Sequence, residues 1–387
     1  MLAADGWPYA SAPPTDPDDP GRFHALFGRD SLITALQVLP ARADVARATL
    51  RALASLQGVK DDPVWDEEPG KIVHEVREAP PAGTTRFLGL DWPEGGLRYY
   101  GSADATSWFL YLLAATGDAA LADDLRGAWE RAGDWLLGAL ERGGGLVRWG
   151  PRPAVGGGLG QQGWRDADTP LKASGGGILH EDGAVPPPPV ADADTQAAAV
   201  AGLRGLAALS GSAAHARAAR DLTERVAARF GPETMAIDGA DREVRGAGSQ
   251  LGWLLWAGVP VPGAAERLTE PDVLTGFGLR TLSDRHPQFA ARAYHRGAVW
   301  PFDSWLGWGG LRAAGHPAAA ERVRAGVLDA MERLGGRFPE VYAVTGAGPE
   351  RIPIANQVQA WTVGAVFALR AGWDGRTAAL TAAAAAS

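Results

Sequence analysis

The sequence predicts an all-α fold, a closed (α/α)6 toroid of six helical hairpins with long loops on one face, on three observations. A helical period recurs twelve times in 387 residues. The periodic segments alternate between apolar on every side and half wet. Short and long connections alternate in step with them.

The twelve segments are 30–39, 44–57, 104–116, 118–141, 192–209, 213–230, 248–256, 263–270, 298–313, 317–334, 356–371 and 375–386. In the first, Asp30 or Ser31 is a candidate N-cap. In the second, Asp44 is the candidate N-cap, Val45, Thr49, Leu53 and Leu56 share a face, and Gly58 is the expected C′ residue. The third holds Ser107-Trp108-Phe109-Leu110-Tyr111-Leu112-Leu113, and the eleventh Val363-Gly364-Ala365-Val366-Phe367-Ala368-Leu369. Helices apolar all round are buried on every side. The sixth repeats Leu222, Val226 and Phe230 with charges between them, and the tenth repeats Val323, Val327, Met331 and Leu334. Such helices keep one wet face.

Turns after odd-numbered helices are short: Pro40-Ala41-Arg42, Thr116-Gly117, Ser210-Gly211-Ser212, Gly315-His316 and Gly372-Trp373. Connections after even-numbered helices run 58–103, 142–191, 271–297 and 335–355, with 231–247 shorter. Buried helices therefore line a ring, and the long loops gather at their N-termini, where the positive helix ends favour anions. One domain over 1–387 is expected, with a lead-in segment at 1–26 and a low-complexity tail at 382–387. The alternative is two bundles split within 142–191, which holds Gly156-Gly157-Gly158 and Pro186 to Pro189. Trp149, Trp164 and an acid cluster in the same stretch favour one domain.

Composition excludes several functions. Net charge is −8, and no Lys/Arg run marks a nucleic-acid partner. Cysteine is absent, which excludes disulfides and thiolate chemistry. No apolar run reaches the roughly 18 residues of a membrane helix. Residues 1–7 lack the basic and apolar regions of an export signal, so the cytoplasm is the expected compartment. Tryptophan is frequent, at 15 residues. Core packing is its first reading, and flat platforms for sugar rings are its second.

The loops carry the chemistry. Phe27-Gly28-Arg29-Asp30-Ser31 sets a fork donor beside an acceptor, suited to vicinal hydroxyls. The run Asp66-Glu67-Glu68-Pro69-Gly70-Lys71 with His74-Glu75 reads first as a solvated charged face. Gln161-Gln162-Gly163-Trp164-Arg165-Asp166 sets a carboxyl beside an indole, where desolvation suits a general acid. Glu340 follows Pro339 outside any helical pattern. Two carboxyls, aromatic rings and an arginine on one rim are the parts of glycoside cleavage. The seven histidines are scattered with no HExxH, so no metal is expected. No P-loop, dinucleotide fingerprint or GxSxG elbow is present, and no cofactor is expected. Asp16-Pro17-Asp18-Asp19 reads as a turn.

From Gly6-Trp7-Pro8-Tyr9 to Trp361 the chain resembles the helical domain of bacterial glycogen-debranching proteins of the amylo-α-1,6-glucosidase kind. These belong to the six-hairpin glycosidases, with glucoamylases, trehalases and mannosylglycerate hydrolases. The motifs stand in order: FGRDSLITALQ from Phe27, DEEPGKIVHE from Asp66, YYGSADAT from Tyr99, QGWRDAD from Gln162, GLRTLS from Gly278, YHRGAVWPFD from Tyr294, FPE from Phe338 and QAW from Gln359. The resemblance implies an inverting α-glucoside hydrolase with Asp166 as general acid and Glu340 as general base, about 6.5–9.5 Å apart. It implies that Arg29 and Asp30 hold sugar hydroxyls, that Trp164, His295, Trp300 and Asp303 line the same subsite, and that Asp104 and Gln359 assist.

The chain departs from that pattern at several places. The N-terminal β-rich domain usual in that family is not expected within these residues. Arg165 and Ala167 flank the acid where Lys and Ser are more usual. Asp168 sits one place early and takes no role. Asp194-Thr195-Gln196-Ala197 lacks the usual tyrosine, and Asp303 precedes Ser304 rather than Asn. The partner expected is an oligosaccharide or glucoside. An α-1,6-linked glucan is the first reading, a small compatible-solute glucoside such as glucosylglycerate the second, and a non-catalytic carbohydrate-binding protein the third.

Overall fold

In a computed structural model the described residues are 1–13, 23–80, 85–87, 89–151, 158–167 and 177–381. The turn read at 16–19, the glycine run at 156–157, Asp168 and the tail at 382–387 lie outside them.

Six helices form a closed ring: α1 (Gly28–Val38), α3 (Ala105–Thr116), α6 (Ala193–Ser210), α8 (Gln250–Ala257), α10 (Pro301–Ala313) and α12 (Ala360–Ala371), each packed on the next and α12 back on α1. Most residues of these helices are buried, with Phe367 of α12 an exposed exception. Outside them lie α2 (Ala43–Ser55), α4 (Ala119–Asp124), α5 (Arg126–Arg142), α7 (Ala213–Arg229), α9 (Ala264–Leu268) and α11 (Pro317–Arg333). The all-α toroid predicted from periodicity is the observed fold. Among the described residues no helix is long and apolar enough to cross a membrane.

Several local expectations change. The segment 118–141 is two helices. In one continuous helix the Ala122 carbonyl would accept the Arg126 N–H, but the Trp129 indole N–H takes that carbonyl at 3.0 Å. Asp118, not a residue within the helix, caps α4 through the Leu121 N–H. Asp44 is not a cap: α2 starts at Ala43, and Asp44 pairs with Arg42 in the first turn. Gly58 lies beyond the C-terminus of α2, and a Cβ there would sit 2.3 Å from the Glu68 carbonyl. Asp30 and Ser31 lie inside α1, whose N-cap position is Phe27.

The twelfth segment changes most. Its described helix, α13 (Ala378–Thr381), packs on α3 and α6, not beside α12. Residues 373–375 cross the C-terminal end of the ring. Trp305, Trp256 and Tyr111 donate to the carbonyls of Trp373, Asp374 and Gly375 at 2.7–2.8 Å, and Trp373 donates to the Leu36 carbonyl at 2.8 Å. Inner helices α1, α3, α8 and α10 thus share one strap, which seals the end opposite the loops.

The inner ring depends on close helix approach. A Cβ at Gly252 of α8 would lie 2.5 Å from the Gly307 Cα of α10. Gly252→Ala is expected to cost about 1–3 kcal/mol by overpacking, read as a lowered melting midpoint in urea. A variant as stable as wild type would show that the two helices separate freely.

The loops carry short antiparallel ladders. Leu26–Phe27 pairs with Glu75–Arg77, which pairs with Leu97–Tyr99. Tyr342–Thr345 pairs with Gly348–Arg351. Described lead-in residues dock on the start of α12, where the Ala360 N–H donates to the Ala10 carbonyl and the Ala12 N–H to the Val358 carbonyl.

Candidate active site

The ladder at Leu26–Phe27 delivers α1 to the ring with Arg29 and Asp30 in its first turn. Gly28 makes this register possible. Its N–H donates to the His74 carbonyl at 2.9 Å, and a Cβ would lie 2.1 Å from the Val73 carbonyl. No side chain fits, so the strand can lie flat against the 72–77 segment.

Arg29 is buried and organises the site. Its Nε donates to both Asp104 oxygens at 2.8 and 2.9 Å, one Nη to Asp166 Oδ2 at 2.9 Å and the other to Ser102 Oγ at 3.3 Å. Burial opposes its charge, but Asp104, Asp166 and Asp30 together hold its pKa above the ordinary value. Ser102 also donates to Asp104 at 2.8 Å.

Asp166 is the most open of the site's carboxyls, with 24 % of its side chain exposed. Its loop is pinned on both sides. Trp164 is buried in an aromatic cluster, stacked with Trp253 and edge-on to His295, Trp300 and Phe302. Arg165 lies over the Trp164 ring at 4.6 Å and binds Asp194 at 2.8 Å, Thr281 O at 2.9 Å and Ser249 Oγ at 3.0 Å. Ala167 N–H donates to His295 Nδ1 at 3.4 Å. Desolvation raises the Asp166 pKa to about 6 against the pull of Arg29.

Glu340 sits between α11 and the Tyr342 hairpin, 2 % exposed. Its N–H donates to the Asn356 carbonyl, and its carboxylate accepts from Tyr294 Oη and from the Asn356 N–H at 3.3 Å. Burial raises its pKa to about 7, and the charge of Asp166 adds to the rise. Neither acid pairs with the arginine beside it in sequence, and neither serves as a helix cap. Arg165 pairs with Asp194, and Arg337 bonds Gln357.

Asp30 accepts from Gln359 Nε2 at 3.2 Å, and Gln359 Oε1 accepts from Asn356 at 2.8 Å. Burial drives the Asp30 pKa well up. Arg29 opposes the rise, and Asp166 and Glu340 add to it. One cluster therefore unites Arg29, Asp30, Asp104, Asp166, Glu340 and Gln359. His295 stacks with Trp300 and touches Tyr294, and burial beside Arg165 and Arg29 holds it neutral. Trp164 and Trp300 are each 1 % exposed, so neither ring is an open platform. Most tryptophans are core residues, and only Trp7, Trp65, Trp92 and Trp373 keep intermediate exposure. Asp303 belongs to the network around Arg165. It accepts from the Trp253 indole at 2.6 Å, and burial, opposed by Arg165, lifts its pKa to about 7.

Sequence reasoning missed Tyr294, Ser102, Asn356 and Glu75. Tyr294 lay within a quoted motif, and its hydroxyl's aim at Glu340 is a tertiary fact. The charge run at 66–75 is not a solvated face. Asp66, Glu67, Lys71, His74 and Glu75 are all buried. Asp66 accepts from Tyr99 and Gln162 at 2.9 and 3.0 Å. The interleaved Ile72 and Val73 were the available signal.

A family model described as the mannosylglycerate hydrolase MGH1-like glycoside hydrolase domain matches residues 153–362. No curated protein matches in sequence. Among solved structures, the GH63 mannosylglycerate hydrolase of Thermus thermophilus in complex with Tris superposes with a TM-score of 0.68 at 17 % identity, over 95 % of this chain and 96 % of that one. The same enzyme in complex with glucose gives 0.64 at 18 %, over 89 % and 93 %. Neutral trehalase Nth1 of Saccharomyces cerevisiae gives 0.58 at 15 %, over 99 % and 76 %. At these identities the likenesses establish the fold.

Proposed function

The chain belongs to the MGH1-like glycoside hydrolase family, and on that premise we propose that it is an inverting hydrolase of a small α-glycoside, of the hexosyl-glycerate kind, with Asp166 as general acid and Glu340 as general base. The supporting observation is the pair itself: two carboxyls on different loops, both raised by burial, Asp166 to about 6 and Glu340 to about 7, with Asp166 partly open to solvent. The match to a mannosylglycerate hydrolase-like family favours the compatible-solute substrate over the α-1,6-glucan reading. The solved relative has also been captured with D-glycerate.

In this reading Asp30, Gln359 and Arg29 hold hydroxyls of the sugar whose bond breaks. Asp166, the most open of these carboxyls, protonates the departing oxygen. Glu340 takes a proton from the water that attacks the opposite face of the ring. Tyr294 and the Asn356 N–H aim the Glu340 carboxylate. Neutral His295 and the Trp164–Trp300 cluster exclude water and keep the acid protonatable. Asp303 supports Arg165, and through it the acid's loop.

The test is sugar release from glucosylglycerate, mannosylglycerate, isomaltose, panose, maltose, trehalose and glycogen limit dextrin, with the product anomer followed by NMR. Release of the β-anomer from a hexosyl-glycerate is the expected result. Release from limit dextrin alone would restore the debranching reading, and an α-anomer product would exclude inversion.

A pH dependence follows. Below about pH 6 both acids are protonated and no base remains, and above about pH 7 both are ionised and no acid remains; between them the working form, Asp166 protonated and Glu340 ionised, is the minor one, because Asp166 has the lower pKa. The profile of kcat/KM is therefore a bell with limbs near 6 and 7 that belong to the coupled pair. A plateau extending to pH 9 would contradict it.

A further inference from the structure

The end of the ring opposite the loops holds two arginines that no described carboxylate meets. Arg204 stands further along α6 than Asp194, by about 15 Å at the α-helical rise. It is only 6 % exposed. Its Nη1 donates to the carbonyls of Ala257 and of Leu380, the latter at 3.2 Å, and its Nη2 to Thr223 Oγ1 at 3.4 Å. Ala257 ends α8 and Leu380 lies in α13, so helix-terminal carbonyls hold one edge of this guanidinium. Arg376 follows the strap at 373–375, and its Nε is buried with no hydrogen-bond partner. Asp374, the nearest acid in the chain, pairs with Arg312 at 3.2 Å and meets Arg376 only through the backbone N–H.

The two side chains converge on one place. Gly258 ends α8 with φ 74°, a left-handed cap that calls for glycine. A Cβ built there would have Arg204 Nη1 at 3.1 Å and both Arg204 Nη2 and Arg376 Nη2 at 3.9 Å as its nearest atoms outside its chain neighbours. Guanidinium nitrogens from both arginines thus border the space over the Gly258 Cα. Two cations this close repel each other. Burial lowers the Arg204 pKa, and the charge of Arg376 lowers it further. The carbonyls at a helix end carry only partial charge and do not balance two cations. A phosphate carries up to two negative charges, and its oxygens point in several directions, so it can accept from two separate guanidinia at once.

We propose that Arg204 and Arg376 form a phosphate site over Gly258, where the bound anion ties α6, α8 and the chain leaving the strap together. The ligand is a phosphate group, either the free ion or that of a small phosphomonoester. Binding here is separate from the acids of the loop face and independent of which glycoside is cleaved.

The test is thermal melting of wild type and Arg376→Met at pH 7.5 in rising inorganic phosphate or methyl phosphate, against sodium chloride of equal ionic strength. Phosphate strengthens apolar burial in any protein by exclusion from its surface, an effect that does not saturate. A bound phosphate adds a rise that does saturate, about 1–3 °C at tenfold excess over Kd. Wild type shows that saturable rise, and Arg376→Met loses it. In chloride the variant melts no lower than wild type, because a like charge beside Arg204 is gone. Titration calorimetry shows phosphate binding weakened at least about tenfold in the variant, the worth of a charge-assisted hydrogen bond. A response to inorganic phosphate alone marks a site for the free ion, and an equal response to methyl phosphate marks one open to the phosphate of a metabolite. No saturable rise in wild type with either anion would overturn the site. So would a rise undiminished in Arg376→Met, the result expected if Arg376 only packs. If Arg376→Met does not fold, Arg376→Lys, which keeps a charge and loses the fork, decides by the same rise, expected to fall to less than about half.

Discussion

Asp166→Asn and Glu340→Gln each lower turnover of a hexosyl-glycerate by about 10²–10⁴-fold, the usual worth of a positioned acid or base. The two losses differ in kind. An alkoxide leaving group needs the proton of Asp166, whereas fluoride does not. On a glycosyl fluoride the Asp166→Asn deficit therefore shrinks to less than about tenfold, while Glu340→Gln remains inactive because attacking water still lacks its base. Sugar release from both substrates checks this. Either variant keeping more than about a tenth of wild-type turnover on the hexosyl-glycerate would remove that residue from the mechanism.

Stability moves the other way. Glu340 has a folded pKa of about 7, above its ordinary value of 4.5. Glu75, Asp166, Asp192 and Asp303 are raised as well, each chiefly by burial. A carboxyl raised in the folded state binds its proton more tightly there than in the unfolded chain. Its contribution is therefore most favourable below the unfolded pKa and is lost as pH climbs from about 4 to about 7. Wild type melts at a higher temperature at pH 5 than at pH 8, and Glu340→Gln narrows that gap.

Arg29→Met has the second large effect, about 3–5 kcal/mol of folding stability, because it strands buried Asp104 without its cation. Activity is lost with it, since Asp166 loses the Nη contact that orients it. Arg29 also lowers the Asp166 pKa. Its removal moves the acid limb of any residual activity, near pH 6, upward, because Asp166 has the lower pKa of the pair. Arg29→Lys restores a charge but cannot reach Asp104, Asp166 and Ser102 at once, and recovers stability more than turnover. Urea melts at pH 7.5 with pH–rate profiles separate these terms. A loss under about 1 kcal/mol in Arg29→Met would mean that water, not arginine, solvates Asp104.

The toroid was legible in the chain because it rests on local periodicity. An all-apolar helix followed by a short turn and a half-wet helix has one stable arrangement, with the first kind inside. Asp166 and Glu340 stood out in the chain as candidates because each sits in a local context that marks it, Trp164-Arg165 before one and Phe338-Pro339 before the other. The break at Leu125 and the strap at 373–375 were not legible. Both depend on indole and phenol donors, of Trp129, Trp256, Trp305 and Tyr111, that find carbonyls distant in sequence or in the helical register.

The same division runs through the site. Sequence by itself determined the helical scaffold and the face that holds the loops, because residue type and spacing encode them, and it singled out the two acids proposed here. Tertiary structure alone decided that the 66–75 charges are buried, that Trp164 and Trp300 pack inside rather than lie open, and that Tyr294 serves Glu340 while Arg77 is tied to Glu75. Burial and pairing are properties of neighbours, and these neighbours meet only when the ring closes.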